Sequence, residues 1–182
     1  MKRNEFFKLC AEGVCSCAAI TMLPGSALIA ANPKQENEDW RIEFIQERYA
    51  KLIEILGDKL GDEKRGEILE QMGRECAKHF YDRALKFKGD LKGYLDDIQK
   101  DWFEKVEYDQ PIKNIRITDK LLKKCACPFV DLSKMKGSYC QCTIGWQKEI
   151  YSLVSDKEVD VTLESSVLRG DEKCVYMIEI LQ

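Results

Sequence analysis

Histidine is nearly missing from this chain and proline is scarce: one and four residues among 182. A single histidine excludes zinc hydrolases that hold their metal with two or three imidazoles. Neither sign of charge dominates, with 29 basic against 32 acidic residues and a net charge of −3. No basic surface therefore announces nucleic acid or anionic lipid. A long uninterrupted apolar run, the mark of a membrane span, is also lacking. What remains is a chain long enough for one domain with its own core.

The first 31 residues read as an export signal, followed by a polar linker over 32–38 and a single domain over 39–182. Lys2, Arg3 and Lys8 make a positive head. An apolar stretch from Val14 to Ala31, broken by Pro24 and Gly25, ends in small residues. The segment Arg3-Asn4-Glu5-Phe6-Phe7-Lys8 resembles the twin-arginine export pattern, with Asn4 where the second arginine would stand. The expected location is the periplasm or cell envelope, or the cytoplasm if the signal does not operate.

Periodicity divides the rest into helices first and strands later. Trp40, Phe44, Ile45, Leu52, Ile53 and Leu56 recur at helical steps and predict one helix with a buried stripe. Gly57 and Gly61 punctuate it, and Asp62 can cap a second helix whose stripe is Ile68, Leu69, Met72, Cys76 and Phe80. Asp90 can cap a third, with Leu91, Tyr94, Leu95, Ile98 and Trp102 on one side. The period then changes to two. Val106 and Tyr108, a turn at 109–111, then Ile115 and Ile117 predict a hairpin. Thr143 can cap a helix through Trp146, Ile150, Leu153 and Val154. Val159, Val161 and Leu163, then Cys174, Tyr176, Ile178 and Ile180, alternate as two more strands. The expected fold class is α+β: N-terminal helices packed on a C-terminal antiparallel sheet, with a cysteine-rich loop in between.

That loop carries the chemistry. Cys125-Ala126-Cys127 and Cys140-Gln141-Cys142 form two C-x-C doublets with twelve residues between them. Loss of the signal would remove Cys10, Cys15 and Cys17 and leave six thiols, adding Cys76 and Cys174. Thiolate is the soft ligand that selects Zn, Cu(I) or iron–sulfur clusters. Four cysteines in two pairs can close a tetrahedral shell, structural because no position stays open. The metal reading therefore takes Cys125, Cys127, Cys140 and Cys142 as ligands, with Zn as the expected ion. In an exported protein the same six thiols could instead form three disulfides and staple the loop.

Cys76 and His79 stand three apart on one predicted helix face and could form a nucleophile and its base, or chelate a metal. Against that, Cys76 continues an apolar stripe, where a free cysteine acts as a small hydrophobe. Cys174 alternates with core positions, and its sharpest expected partner is Cys76. Arg169-Gly170-Asp171 is a turn by composition. Gly145 inside a predicted helix points to close approach of a ligand or a neighbouring element, or to a packing gap.

The series Cys125-x-Cys127-Pro128, Cys140-x-Cys142-x-x-Gly145-Trp146 and Arg169-Gly170-Asp171-x-x-Cys174 resembles a bacterial cysteine-rich family related to L-2-amino-thiazoline-4-carboxylate hydrolase-like proteins. The ending Arg169 to Ile178 is also similar to 4-vinyl reductase domains, which are α+β modules that bind small molecules or metals. The resemblance implies a pocket for a small-molecule ligand between helices and sheet. It also implies, as an alternative, a cysteine-dependent hydrolase of a small heterocycle or amide, with Cys76 or Cys127 as nucleophile and His79 as base. A disulfide-stapled envelope protein is the third reading.

Overall fold

The computed structural model of the protein describes residues 33–109, 113–120, 125, 127–135 and 138–181. The expected export signal lies outside the described residues, as do residues 110 and 111 of the expected turn. Residues 34–182 form one compact unit.

Helix α1 runs from Pro33 to Ala77, so residues 33–38, expected as linker, are already helical. Proline suits a first helical position because its missing N–H would have no partner there. Gly57 does not end the helix. The break is at Gly61, whose φ of 81° and ψ of 169° kink the chain, a conformation open to glycine because it lacks a Cβ. A short helix α2 (Tyr81–Ala84) lies between two 3₁₀ turns. Helix α3 (Leu91–Asp101) follows, and the Asp90 carboxylate accepts the Gly93 N–H at 2.9 Å as its cap. Tyr94, Leu95 and Ile98 are buried, as the apolar spacing predicts.

The sheet comprises β1 (Phe103–Asp109), β2 (Asn114–Asp119), β3 (Val159–Ser165) and β4 (Val175–Ile180). All neighbours are antiparallel, in the order β1-β2-β4-β3. Ile178 pairs with Ile115 on one side and Val161 on the other, and Tyr176 likewise with Ile117 and Leu163. This apolar row across β2, β4 and β3 is the floor of the core. Helix α4 (Gln141–Ser155) covers it with Ile150, Tyr151 and Val154, and Tyr151 meets Tyr94 of α3 edge to face at 5.8 Å. Cys140, not Thr143, is the residue before α4, and Thr143 lies within its first turn. The α+β architecture, helices first and antiparallel sheet later, is as the periodicity implies.

The stripe assigned to the first half of α1 is a different matter. Of its six apolar residues only Ile53 is buried and Leu56 half-buried, while Trp40, Phe44, Ile45 and Leu52 are exposed. The inward face is instead Gln46, Tyr49, Ala50 and Ile53, because it lies on the cysteine loop rather than on the sheet. In the second half Leu69, Gly73 and Ala77 are buried, whereas Ile68 and Phe80 are exposed.

Candidate functional site

Two glycines bring the site together. A Cβ on Gly73 of α1 would overlap the carbonyl oxygen of Cys142, and one on Gly145 of α4 would overlap that of Glu70. The two helices therefore cross in backbone contact, which only glycine at both positions allows. Cys76 lies one turn beyond Gly73, and Cys142 is itself the contact residue. The helical glycine at 145 thus marks a neighbouring element. Around this crossing Arg74 bridges Glu70 and Glu149, and Tyr81 donates to the same Glu149 carboxylate.

The cysteine loop is held under the first half of α1. Gln46 donates to the Pro128 carbonyl at 2.8 Å, and Tyr49 stacks on Phe129 with ring centres 5.5 Å apart. Lys134 reaches Glu43 and Glu47 at 3.3 and 3.2 Å. Within the loop the Val130 N–H donates to the Cys127 carbonyl, and Asp131 caps the turn that buries Met135. Few apolar side chains order this segment, so contacts with α1 do much of that work.

At the far side, Cys140 is buried and its sulfur lies 2.9 Å from the hydroxyl of Ser166, which is fully buried. Ser166 starts a 3₁₀ turn, its N–H donating to the Asp171 carboxylate at 2.8 Å. Arg169 donates to the Leu163 carbonyl, and Gly170 takes a φ of 95°. The Arg169-Gly170-Asp171 turn therefore aims Ser166 at Cys140.

The six cysteines from Cys76 onward are free thiols. Each doublet splits, its members turning to different neighbours. Burial pushes Cys142 up to about 12, and the adjoining Cys76, Cys127 and Cys125 push in the same direction. Cys127 is raised by burial and by Cys76, against the N–H groups of Phe129 and Val130, which lower it. Burial raises Cys125 to about 11, with Cys127, Cys140 and Cys174 adding to it. Burial also raises Cys140, opposed by the Ser166 hydrogen bond and supported by Cys174. One group is thus Cys76, Cys127 and Cys142, beneath the Tyr49 phenol that the same three thiols help push up. The other is Cys125, Cys140 and Cys174, beside Tyr176. Cys125 acts electrostatically on Cys142 of the first group as well.

Each cysteine of the doublets is influenced by at least one thiol outside its own doublet. Cys174 faces Cys140 and Cys125 rather than its expected partner Cys76. Cys76 turns towards Cys142 and Cys127, whereas His79 is exposed on the 3₁₀ turn and enters none of the hydrogen bonds among the described residues. Among the described residues no group of three or more Cys, His, Asp or Glu side chains stands in metal-holding geometry. The sequence expectation set Cys76 beside His79 and paired Cys174 with Cys76 rather than with the doublets, and it did not single out Tyr49 or Ser166. One signal was available: Gly73-x-x-Cys76 and Cys142-x-x-Gly145 carry the same glycine–cysteine spacing in opposite order, as two helices touching at glycines would.

A separate cleft of about 840 Å³ opens between α3 and the sheet, with Leu95, Tyr108, Asn114, Arg116 and Met177 among its walls. The buried Asn114 side-chain oxygen has no hydrogen-bond partner among the described residues. No helix among the described residues is long and apolar enough to cross a membrane.

A helix-flanked antiparallel sheet with a thiol-lined seam is the class these elements define. A family model described as a family of unknown function (DUF6144) matches residues 112–182. No curated protein matches the chain. Among solved structures, the chain is similar to a trafficking protein particle complex subunit 3 from Naegleria fowleri covalently bound to palmitic acid. That likeness has 14% identity and a TM-score of 0.52, and it covers 79% of this chain and 97% of that one. The phenol-responsive sensory domain of the transcription activator PoxR, solved with phenol, aligns at 13% identity and TM-score 0.49 over 74% of both chains.

Proposed function

We propose that this chain is a non-catalytic domain that captures a soft metal ion, Zn by choice, through Cys125, Cys127, Cys140 and Cys142, with Cys76 and Cys174 at its flanks. The observation that carries the reading is electrostatic: Cys127 and Cys125 both push up Cys142, and Cys140 pushes up Cys125. Burial keeps these groups as neutral thiols, so an incoming cation would displace protons as it binds. Capture would also require the thiols to rotate inward. The metal would then fasten the cysteine loop to α4.

Hydrolysis fits less well. A thiol nucleophile works as the thiolate, and burial raises Cys127, while His79 faces outward from the cluster. A second ligand reading is a small molecule in the α3–sheet cleft walled by Leu95, Tyr108 and Arg116. Export of the domain belongs to the same proposal, and a metal-bound fold is compatible with it.

Mass spectrometry under native conditions, on protein loaded with zinc and desalted, tests the metal reading. Expected is at least one zinc per chain, lost in the Cys127→Ser, Cys142→Ser double variant. A zinc-free chain whose six thiols all react freely overturns it.

A further inference from the structure

Among the described residues, Cys76 and Cys142 are the pair of thiols hydrogen-bonded to each other, across the α1–α4 crossing. The other four cysteines turn their sulfurs to different partners. Cys140 meets the Ser166 hydroxyl and Cys174 the Tyr176 phenol. The Cys125 sulfur accepts from the Cys127 N–H, and the Cys127 sulfur from that of Phe129. One thiol-to-thiol contact therefore stands apart.

Two features of the crossing hold this pair within bonding range. Helices commonly pack with their axes about 8–10 Å apart, whereas a disulfide needs Cα atoms within about 7 Å of each other. Gly73 and Gly145 close that gap, since a Cβ at either would overlap a backbone carbonyl of the other helix. Cys76 and Cys142 each stand one helical turn from one of these glycines. Charge pins the same crossing: Arg74 bridges Glu70 and Glu149, and Lys148 reaches Glu70 at 3.3 Å. Both thiols are carried by helices rather than by the loop, and both are half-buried, open to a small oxidant.

We propose that Cys76 and Cys142 are a redox pair, closing to a disulfide that ties the second half of α1 to α4 and reopening on reduction. The oxidant is a small-molecule disulfide of the oxidised glutathione type. One protein thiol loses its proton, attacks the small disulfide and expels one small thiolate. The second protein thiol then attacks the mixed disulfide and expels the other. The two protein sulfurs give up two electrons and two protons, and the small disulfide leaves as two thiols. Closure also withdraws Cys142 from the proposed metal ligands. That consequence rests on the metal reading, whereas the pair itself does not.

Peptide mapping of the full chain, reduced, freed of metal and then treated with oxidised glutathione, tests the pair. Expected is a peptide linking Cys76 to Cys142, which dithiothreitol separates again. Closure should also raise the urea midpoint of the wild-type chain and leave that of Cys76→Ser where it was. Glutathione adducts on both cysteines with no link between them overturn the proposal. A linkage that joins Cys142 to Cys127, or Cys76 to Cys174, overturns it too. Repeating the treatment on zinc-loaded chain separates the two readings. Slower closure supports both, while an equal rate supports the pair and counts against the metal.

Discussion

The two halves of α1 are built from similar residues and do opposite things. Before Gly61 the helix leaves Phe44, Leu52 and Ile55 half in water and touches the rest of the domain through polar and aromatic contacts with the cysteine loop. After Gly61 it buries Leu69, Gly73 and Ala77 and meets α4 backbone to backbone. Small residues at 73 and 145, not greater hydrophobicity, separate the two. Where glycine lets helices touch, Cys76 and Cys142 flank the crossing; where bulky residues line the face, the helix leaves them half in water.

The sharpest way to break that contrast is to truncate a leucine on each side of the kink. Leu69 has no exposed surface, so Leu69→Ala should lower the stability of the domain by about 2–5 kcal/mol in urea unfolding. A loss under about 1 kcal/mol there would mean that the α1–α4 contact is looser than drawn.

Adding one methyl at the crossing is the next test. Gly73→Ala places a Cβ against a carbonyl that cannot rotate away, and about 1–3 kcal/mol of destabilisation is expected. The thiols near Gly73 should also become more reactive. Unchanged stability and thiol reactivity would place the crossing elsewhere.

Alkaline pH sharpens the comparison from the thiol side. Cys142 is held up at about 12 in the fold, first by burial, while in the unfolded chain a thiol ionises near 8.5. Between these values the folded chain holds more protons than the unfolded one, so stability falls as pH rises. Without added metal the loss should be roughly 1 kcal/mol per pH unit from about pH 9, followed by chemical denaturation at stepped pH. Cys142→Ala should lessen the slope, the remainder coming from the other raised thiols Cys125, Cys127 and Cys140, and a slope wholly unchanged in this variant places the ionising group elsewhere.

The smallest effect is expected at Leu52. In dilute, monomeric protein Leu52→Ala should change stability by less than about 0.5 kcal/mol, because the side chain is already half hydrated. A loss as large as that at Leu69 would erase the distinction between the halves.

Much of the fold was legible because the local signals agree with the tertiary arrangement. Asp90 caps α3 where its spacing suggests, and the alternation in Val159–Leu163 and Tyr176–Ile180 matches strands buried on one face. The first half of α1 misled because an apolar helical stripe shows that a face avoids water, not what covers it. Ile68 and Phe80 misled for a related reason: the close crossing selected Gly73 and Ala77, residues that hydrophobicity patterns undervalue. At the site, the two C-x-C doublets announced themselves by spacing. Cys76 and Cys174 did not, because a cysteine in an apolar stripe looks like any small hydrophobe until the chain folds it against another thiol. His79 is three residues from Cys76, yet the 3₁₀ turn at Lys78–Phe80 leaves it exposed.

Cobalt(II) titration of the reduced, metal-free chain tests the thiol centre most directly, because thiolate-to-cobalt absorption reports sulfur donors shared by one ion. Expected is a saturating band that disappears when Cys127 and Cys142 are both changed to alanine. Absence of any such band, with all six sulfurs labelled independently and at equal rates, would contradict a common centre.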